Sequence, residues 1–338
     1  MHGGTGGNRS ARHRARLLLG TGLAGLSALG ALAPGAATAQ DLPSGGSVVH
    51  GQATISTPSG GAMLVEQSSP AAIISWDGFS VGGGATAHFD NGSGATLNRV
   101  TGSDPSLIHG TLSATGSLYL VNPAGVTVGP SGQVLTGGSF IASTHDVSDA
   151  DFLGQGAMTF AGSSKAQVVN HGTIRSAMGD VALIARRVEN TGEIDAARGT
   201  AGLLAGYEVL MREASGAGGK FAVRVGGADT EAVNSGTIRA AEIELRANGG
   251  NVYALGINTK GVLKATGARK KGGRIFLTAE GGRAETGGTI RAERRAPRKA
   301  ASQSAPRKAD GGEVFVNAEA IRAYGRIDVS GAGGGKGG

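Results

Sequence analysis

Short runs with apolar residues at every second position recur through the second half of the chain. Val181-Ala182-Leu183-Ile184-Ala185, Ile243-Glu244-Leu245-Arg246-Ala247, Ile275-Phe276-Leu277-Thr278-Ala279 and Val314-Phe315-Val316-Asn317-Ala318 are versions of one phrase. A period of two belongs to a strand whose faces meet different surroundings, so Ile243, Leu245 and Ala247 are expected to be buried and Glu244 and Arg246 to face water. A second phrase alternates with the first, an Asn/Gly turn leading into a short strand. It reads Asn170-His171-Gly172-Thr173-Ile174, Asn190-Thr191-Gly192-Glu193-Ile194, Asn234-Ser235-Gly236-Thr237-Ile238 and Asn258-Thr259-Lys260-Gly261-Val262, then degenerates to Gly287-Gly288-Thr289-Ile290 and Gly325-Arg326-Ile327. The i, i+3, i+4, i+7 spacing of helical repeats is missing from both phrases.

Each unit is too short to bury its own apolar face, so successive units must stack to build a continuous core. The spacing is irregular, 20 residues from Gly172 to Gly192 and 25 from Gly236 to Gly261. A rod that takes insertions at its corners tolerates this, and the pattern predicts a right-handed, single-stranded parallel β-helix with an N-terminal cap. Coils of roughly 22 residues would give on the order of 13 of them. The repeat-turn residues are Asn170, Gly172, Asn190, Gly192, Asn234 and Gly236. Glycine is expected there for positive φ, and asparagine for bonding its own backbone and stacking as an amide ladder. Trp76, the single tryptophan, is expected with Phe79 to pack in the core or cap, as are Phe140, Phe152 and Phe160.

Composition narrows the class. Glycine accounts for 63 of 338 residues, charged residues for 17% and aromatics for 4%, which argues against an ordinary helical or doubly wound domain. A hydrophobic share of 39% is too high for a wholly disordered chain, and no G-X-Y period suggests collagen. The absence of cysteine excludes disulfide scaffolds, thiolate metal sites and cysteine nucleophiles. The net charge of +7 is local, because residues 264–308 hold 13 Lys/Arg against 3 Asp/Glu. Arg294-Arg295-Ala296-Pro297-Arg298-Lys299 and Ala305-Pro306-Arg307-Lys308 read as a basic insertion at about 291–310, protruding from a corner. No aromatic interleaves those charges, so nucleic acid is not expected as a partner.

The front of the chain carries Arg9, Arg12, Arg14 and Arg16, then an apolar stretch from Leu17 to Ala33, then Ala37-Thr38-Ala39. These are the three parts of a signal peptide over 1–39, with cleavage between Ala39 and Gln40. Residues 40–165 then form a cap and first coils, 166–330 further coils and 331–338 a glycine-rich tail. Gly-x-Ser-x-Gly, His-Glu-x-x-His and a Walker A loop are absent, so no catalytic residue, cofactor or metal is assigned. His145-Asp146 with Asp149 and Asp151 form the densest acidic cluster, either oxygen ligands for a hard cation or a solvated corner loop.

The segment before residue 160 is more specific. It runs through Ile73-Ile74-Ser75-Trp76-Asp77-Gly78-Phe79, Asn98-Arg99-Val100-Thr101, Asn122-Pro123-Ala124-Gly125 and Gly138-Ser139-Phe140-Ile141-Ala142-Ser143-Thr144, followed by Val169-Asn170-His171-Gly172-Thr173-Ile174. In order and spacing this resembles the secretion domain of two-partner-secretion exoproteins of the filamentous-haemagglutinin and high-molecular-weight-adhesin type. The family's Asn-Pro-Asn-Gly motif stands here as Asn122-Pro123-Ala124-Gly125, with alanine in place of the second asparagine. By itself the motif reads as a β-turn between coils, with Pro123 setting φ and Gly125 permissive. The resemblance implies secretion-motif roles for Asn98, Arg99, Asn122, Pro123 and Gly125. It also implies export through an outer-membrane barrel transporter with periplasmic POTRA domains, a location at the surface or outside of a Gram-negative cell, and adhesion to a host-cell or glycan receptor. A polysaccharide-acting β-helical enzyme and a basic module for anionic ligands are the alternatives.

Overall fold

The computed structural model describes residues 1, 41–255, 262–267, 273–293, 310–331 and 336–338. The leader with Ala39 and Gln40, the turn at Asn258 to Gly261 and residues 294–309 of the basic insertion lie outside the described residues.

Strands one coil apart in sequence pair in parallel, and three such stacks enclose one interior. Face A begins with Ala62–Gln67, Thr86–Asp90, Thr111–Ala114 and Gln133–Thr136, and ends with Thr289–Ala292 and Arg326–Asp328. Face B begins with Ala71–Trp76, Ala95–Val100, Ser117–Val121, Phe140–Ser143 and Val181–Ala185. Face C runs through Ser106–Ile108, Val126–Val128, Gln167–Asn170, Arg187–Asn190, Glu231–Asn234 and Asn251–Ala254. The inward residues, such as Leu112 and Ile194 of A, Leu183 and Leu245 of B, and Val128 and Val188 of C, form one buried cluster along the stack. This is the parallel β-helix that the two-residue periodicity predicts. Burial requires a neighbour on each side: Ile275 and Leu277 lie between two coils and are fully buried, whereas Val314 and Val316 of the last coil are only half-buried.

The N-terminal end is closed by antiparallel pairing. Ser47–His50 pairs with Ala71–Trp76, and Ala53–Ser59 folds back on Ala62–Gln67. Such pairing occupies backbone groups that a bare first coil would offer to another chain. Behind this cap, Trp76 meets Phe79 edge-on at 5.5 Å and Phe79 stacks on Phe89 at 6.3 Å, filling the first interior layers.

The corner between faces C and A holds the asparagine ladder. Asn170 Nδ2 donates to Asn190 Oδ1, and Asn190 Nδ2 to Asn234 Oδ1, both at 2.7 Å, with all three residues buried. The ladder sets register, because an amide can donate upward and accept from below only if equivalent residues fall at equal height. The glycines beside it are there for a different reason than the expected one. Gly172, Gly192 and Gly236 do not adopt positive φ. A Cβ on Gly192 would instead collide with the carbonyl oxygen of Gly172, and one on Gly236 with that of Gly192. Close approach of stacked corners excludes the side chain.

Two further expectations are corrected. Face A carries ten strands among the described residues, fewer than on the order of 13, because two coils spend extra length on hairpins. From Asn190 to Asn234 the step is 44 residues. This excursion and an earlier one between Ser143 and Gln167 together form a four-stranded antiparallel sheet of Asp146–Val147, Met158–Ala161, Glu208–Gly216 and Gly219–Val225, which lies outside the helix against face B. For that reason the outer side of face B is not wet. Ala182, Ile184 and Leu204 form a second core with Val147, Phe160, Val209 and Phe221, and Glu244, expected in water, is fully buried.

Substituting Asn190→Ala strands an amide on each side in the interior and is expected to cost about 2–4 kcal/mol in urea unfolding. Gly192→Ala is expected to lose more than about 1 kcal/mol despite its ordinary φ, while Gly60→Ala, with open space around it, stays within about 0.5 kcal/mol.

Candidate functional site

The motif residues gather on face B and at its corner with face C. Asn98 points into the interior, where an unpaired amide would be costly. It is fully buried; its Oδ1 accepts from Trp76 Nε1 at 2.9 Å and its Nδ2 donates to the carbonyl of Tyr119 at 3.2 Å. One side chain thus ties three successive coils together. The next residue, Arg99, points out. Its Nε donates to Asp146 at 2.9 Å, and one terminal nitrogen reaches both the Val147 carbonyl at 2.8 Å and Asp149 at 3.0 Å. Burial opposes the charge of Arg99, but the hydrogen bonds and charges of the two carboxylates outweigh it and hold its pKa above the ordinary value.

The acidic cluster is a solvent-exposed corner whose carboxylates are paired. Asp146 and Asp149 are occupied by a guanidinium, and His145 is fully buried. Helix α1, Asp149–Gly154, starts at Ser148, whose hydroxyl accepts from the Asp151 amide, and Asp149 and Asp151 face the positive helix end. Asp151 also accepts from the Thr159 amide at 3.0 Å. Among the described residues no group of three His, Asp or Glu is placed to hold a metal ion.

Asn122 makes the corner. It is fully buried; Oδ1 accepts from the Ala124 amide at 2.8 Å, while Nδ2 donates to the Asp104 carbonyl at 3.0 Å and to Ser106 Oγ at 2.9 Å. The Gly125 amide returns to the Asn122 carbonyl at 3.0 Å, and Gly125 sits at φ 114°, where a side chain would be strained. Pro123 is exposed, and its carbonyl accepts from Ser164 at 2.6 Å. The position of the missing second asparagine, Ala124, contributes its backbone amide to the turn. Face B ends here in each coil, and the two hairpins leave the rod at this same corner, after Ser143 and after Ala205.

The hairpins are fastened by groups that the periodicity did not reveal. His145 Nε2 lies 2.7 Å from the Gly206 carbonyl, joining the roots of the two hairpins, while Nδ1 has no partner. Burial lowers the His145 pKa, against the raising effect of the Gly206 bond, so the ring is neutral and carries its proton on Nε2. At the far end, Glu244 accepts from the Lys220 and Phe221 amides at 2.5 and 3.1 Å and from Arg246 Nε at 2.7 Å. Lys220 reaches Asp180 at 2.5 Å, and Arg274 pairs with Glu242 and with Ser215 Oγ. Burial outweighs these partners at Glu244 and pushes its carboxyl up to about 7. One signal for the covering sheet was in the sequence: Val181 to Ala185 is apolar at every position, as a strand buried on both faces is.

Comparison with known proteins rests on this frame. Residues 39–292 match the family model of the TPS (two-partner secretion) secretion domain. The chain belongs to that family. The TPS match reaches well beyond the motif phrases and includes both hairpins. Over 256 residues, or 72% of this chain, it is 34% identical to a heme/hemopexin-binding protein of Haemophilus influenzae strain Rd, of whose length it spans 28%. The HMW1 secretion domain from H. influenzae superposes with a TM-score of 0.70 at 29% identity, covering 85% of this chain and 73% of that one. The filamentous hemagglutinin secretion domain shares the fold at a TM-score of 0.56 and 17% identity, over 86% of this chain and 98% of that one.

Within this TPS domain, the buried carboxyl of Glu244 sets a pH dependence. A folded pKa raised above 4.5 means that its contribution is full below that value and lost as pH rises through about 7. Urea unfolding at pH 4.5 to 8 is expected to show Glu244→Gln flattening the decline of the parent protein over this interval. Arg99→Ala, which frees two partly exposed carboxylates and a carbonyl, is expected to cost about 1 kcal/mol and to raise amide exchange in residues 146–161 before the rest of face B.

Proposed function

We propose that the chain is the export-directing part of a secreted exoprotein. Residues 1–39 act as a signal peptide cleaved between Ala39 and Gln40. Residues 40–165 carry the motifs read during export, and 166–330 add coils. The chain is captured in the periplasm by POTRA domains of a dedicated outer-membrane barrel transporter of a Gram-negative cell, crosses unfolded and folds outside. The family match over residues 39–292 carries this reading. The physics of the fold supports it, since each coil that stacks outside buries apolar surface that would have to be exposed again for the chain to slide back. Asn98, Arg99, Asn122, Pro123 and Gly125 act in export by making the first coils and their corner foldable. At the surface or after release, the exoprotein acts as an adhesin towards a host-cell or glycan receptor. A second reading, carriage of haem or hemopexin, draws on the description of the 34%-identical relative.

Co-expression with a matched POTRA-barrel transporter is expected to place the chain in the medium, with periplasmic retention when the transporter is withheld. Release without the transporter would defeat the export reading. Asn122→Ala, which removes the corner amide, is expected to lower the secreted amount several-fold while leaving total synthesis unchanged, as read by immunoblot of cells and medium.

A further inference from the structure

Both hairpins leave the rod at one corner, and a single buried side chain joins their roots there. His145 is fully buried and its Nε2 donates to the Gly206 carbonyl at 2.7 Å, so the chain that leaves after Ser143 is tied to the chain that leaves after Ala205. The segment returning from the first hairpin closes over the ring. Its Gly162 amide donates to the Tyr207 carbonyl at 3.0 Å, and a Cβ on Gly162 would come within 2.8 Å of His145 Nδ1. Gly162 is itself exposed, so the cover over this nitrogen is thin.

Nδ1 has no partner, and neither has Oγ1 of Thr144, the residue before it, which is also buried. Two adjacent residues with unsatisfied buried polar atoms make the root a weakly held part of the sheet's attachment. With one proton on Nε2 the ring is neutral. A second proton would fall on Nδ1, where no acceptor waits and where the charge would be cut off from water. No carboxylate among the described residues bonds the ring to offset this. Tyr207 has its ring centre 5.9 Å away, but its hydroxyl donates to Asp229, which Arg186 approaches at 4.0 Å. On the neighbouring strands Asp146 and Asp149 are held by Arg99, and Glu208 faces Arg224 at 3.8 Å.

Burial lowers the His145 pKa from its ordinary 6.5, so the closed root is at full strength above that value and weakens as pH falls below it. The far end of the sheet responds in the opposite sense. Glu244, which holds the Lys220 and Phe221 amides, is favoured by burial in its protonated form, so acid does not release the tip. We propose that His145 is an acid-operated latch on the hairpin sheet: a proton taken up at Nδ1 lifts the Gly162 segment, parts the two hairpin roots and uncovers Ile184 and Leu204 on the outer side of face B from that end, while the tip stays fastened.

The latch works in the folded protein and goes beyond the export reading, which is tested in cells with the transporter. Hydrogen exchange read by mass spectrometry on the purified chain at pH 7.5 and 5.5, with times scaled for the intrinsic pH dependence of exchange, tests it. Protection in peptides covering 143–147, 161–164 and 205–208 is expected to fall several-fold at pH 5.5, about tenfold at most for a group that titrates near 6.5 only when the root is open. Protection of Gln133–Thr136 on face A is expected to stay within about twofold. His145→Gln, whose amide can donate to the Gly206 carbonyl but does not titrate, is expected to show equal protection at both pH values, and Glu244→Gln to keep the acid loss at the root. Ring-carbon NMR shifts of the parent protein are expected to show His145 titrating below 6.5. No acid loss at the root, the same loss in His145→Gln, its disappearance in Glu244→Gln, or a His145 ring that titrates at or above 6.5 would overturn the proposal.

Discussion

Every strand of the rod is hydrogen-bonded to strands a whole coil away, so the structure stands or falls with the equality of path length between corners. One residue too many between Asn170 and Asn190 would turn Ile194 outward and break the amide ladder together. The ladder and the side-chain-free corners enforce that equality from two directions. Amides bond only at matching height, and the carbonyl of one corner occupies the space in which the next would place a Cβ. Variation in length is accordingly confined to excursions that leave the rod and return to the same place, as both hairpins do.

Those excursions change the chemistry of one face. Where the rod is bare, its outer positions are polar, as with Arg175 and Asp195 on face A. Where the hairpin sheet covers face B, the outer positions become Ile184 and Leu204, and farther along they become charges sealed from water. Glu244 replaces a missing strand: the amides of Lys220 and Phe221 at the sheet's edge bond its carboxylate. Arg99 closes the opposite edge through the Val147 carbonyl. Both edges of the small sheet are thus occupied by side chains of the rod, which protects them from pairing with another chain.

The same corner explains why the motif residues lie where they do. Asn122 to Gly125 make a four-residue turn from face B to face C, and the hairpins are longer solutions to the same connection. Asn98 joins three coils next to the aromatic plug, so the first coils form a unit in which cap, interior and corner depend on one another.

Residue order alone determined the rod. Two-residue alternation, units too short to stand alone, and Asn/Gly corners at a recurring step leave few other ways to bury the apolar side chains, and Trp76, Phe79 and Phe140 fall inside as expected. The phrases around Asn98 and Asn122 were equally legible as words, though not the bonds they make. Tertiary structure alone decided which outer faces are dry, which charges are buried and why the corner glycines are glycines. Each of those depends on atoms of another coil or of a distant hairpin, as Glu244 depends on amides 24 and 23 residues away. Alternation states that two sides of a strand differ, but the identity of what covers the second side is a property of the packed molecule.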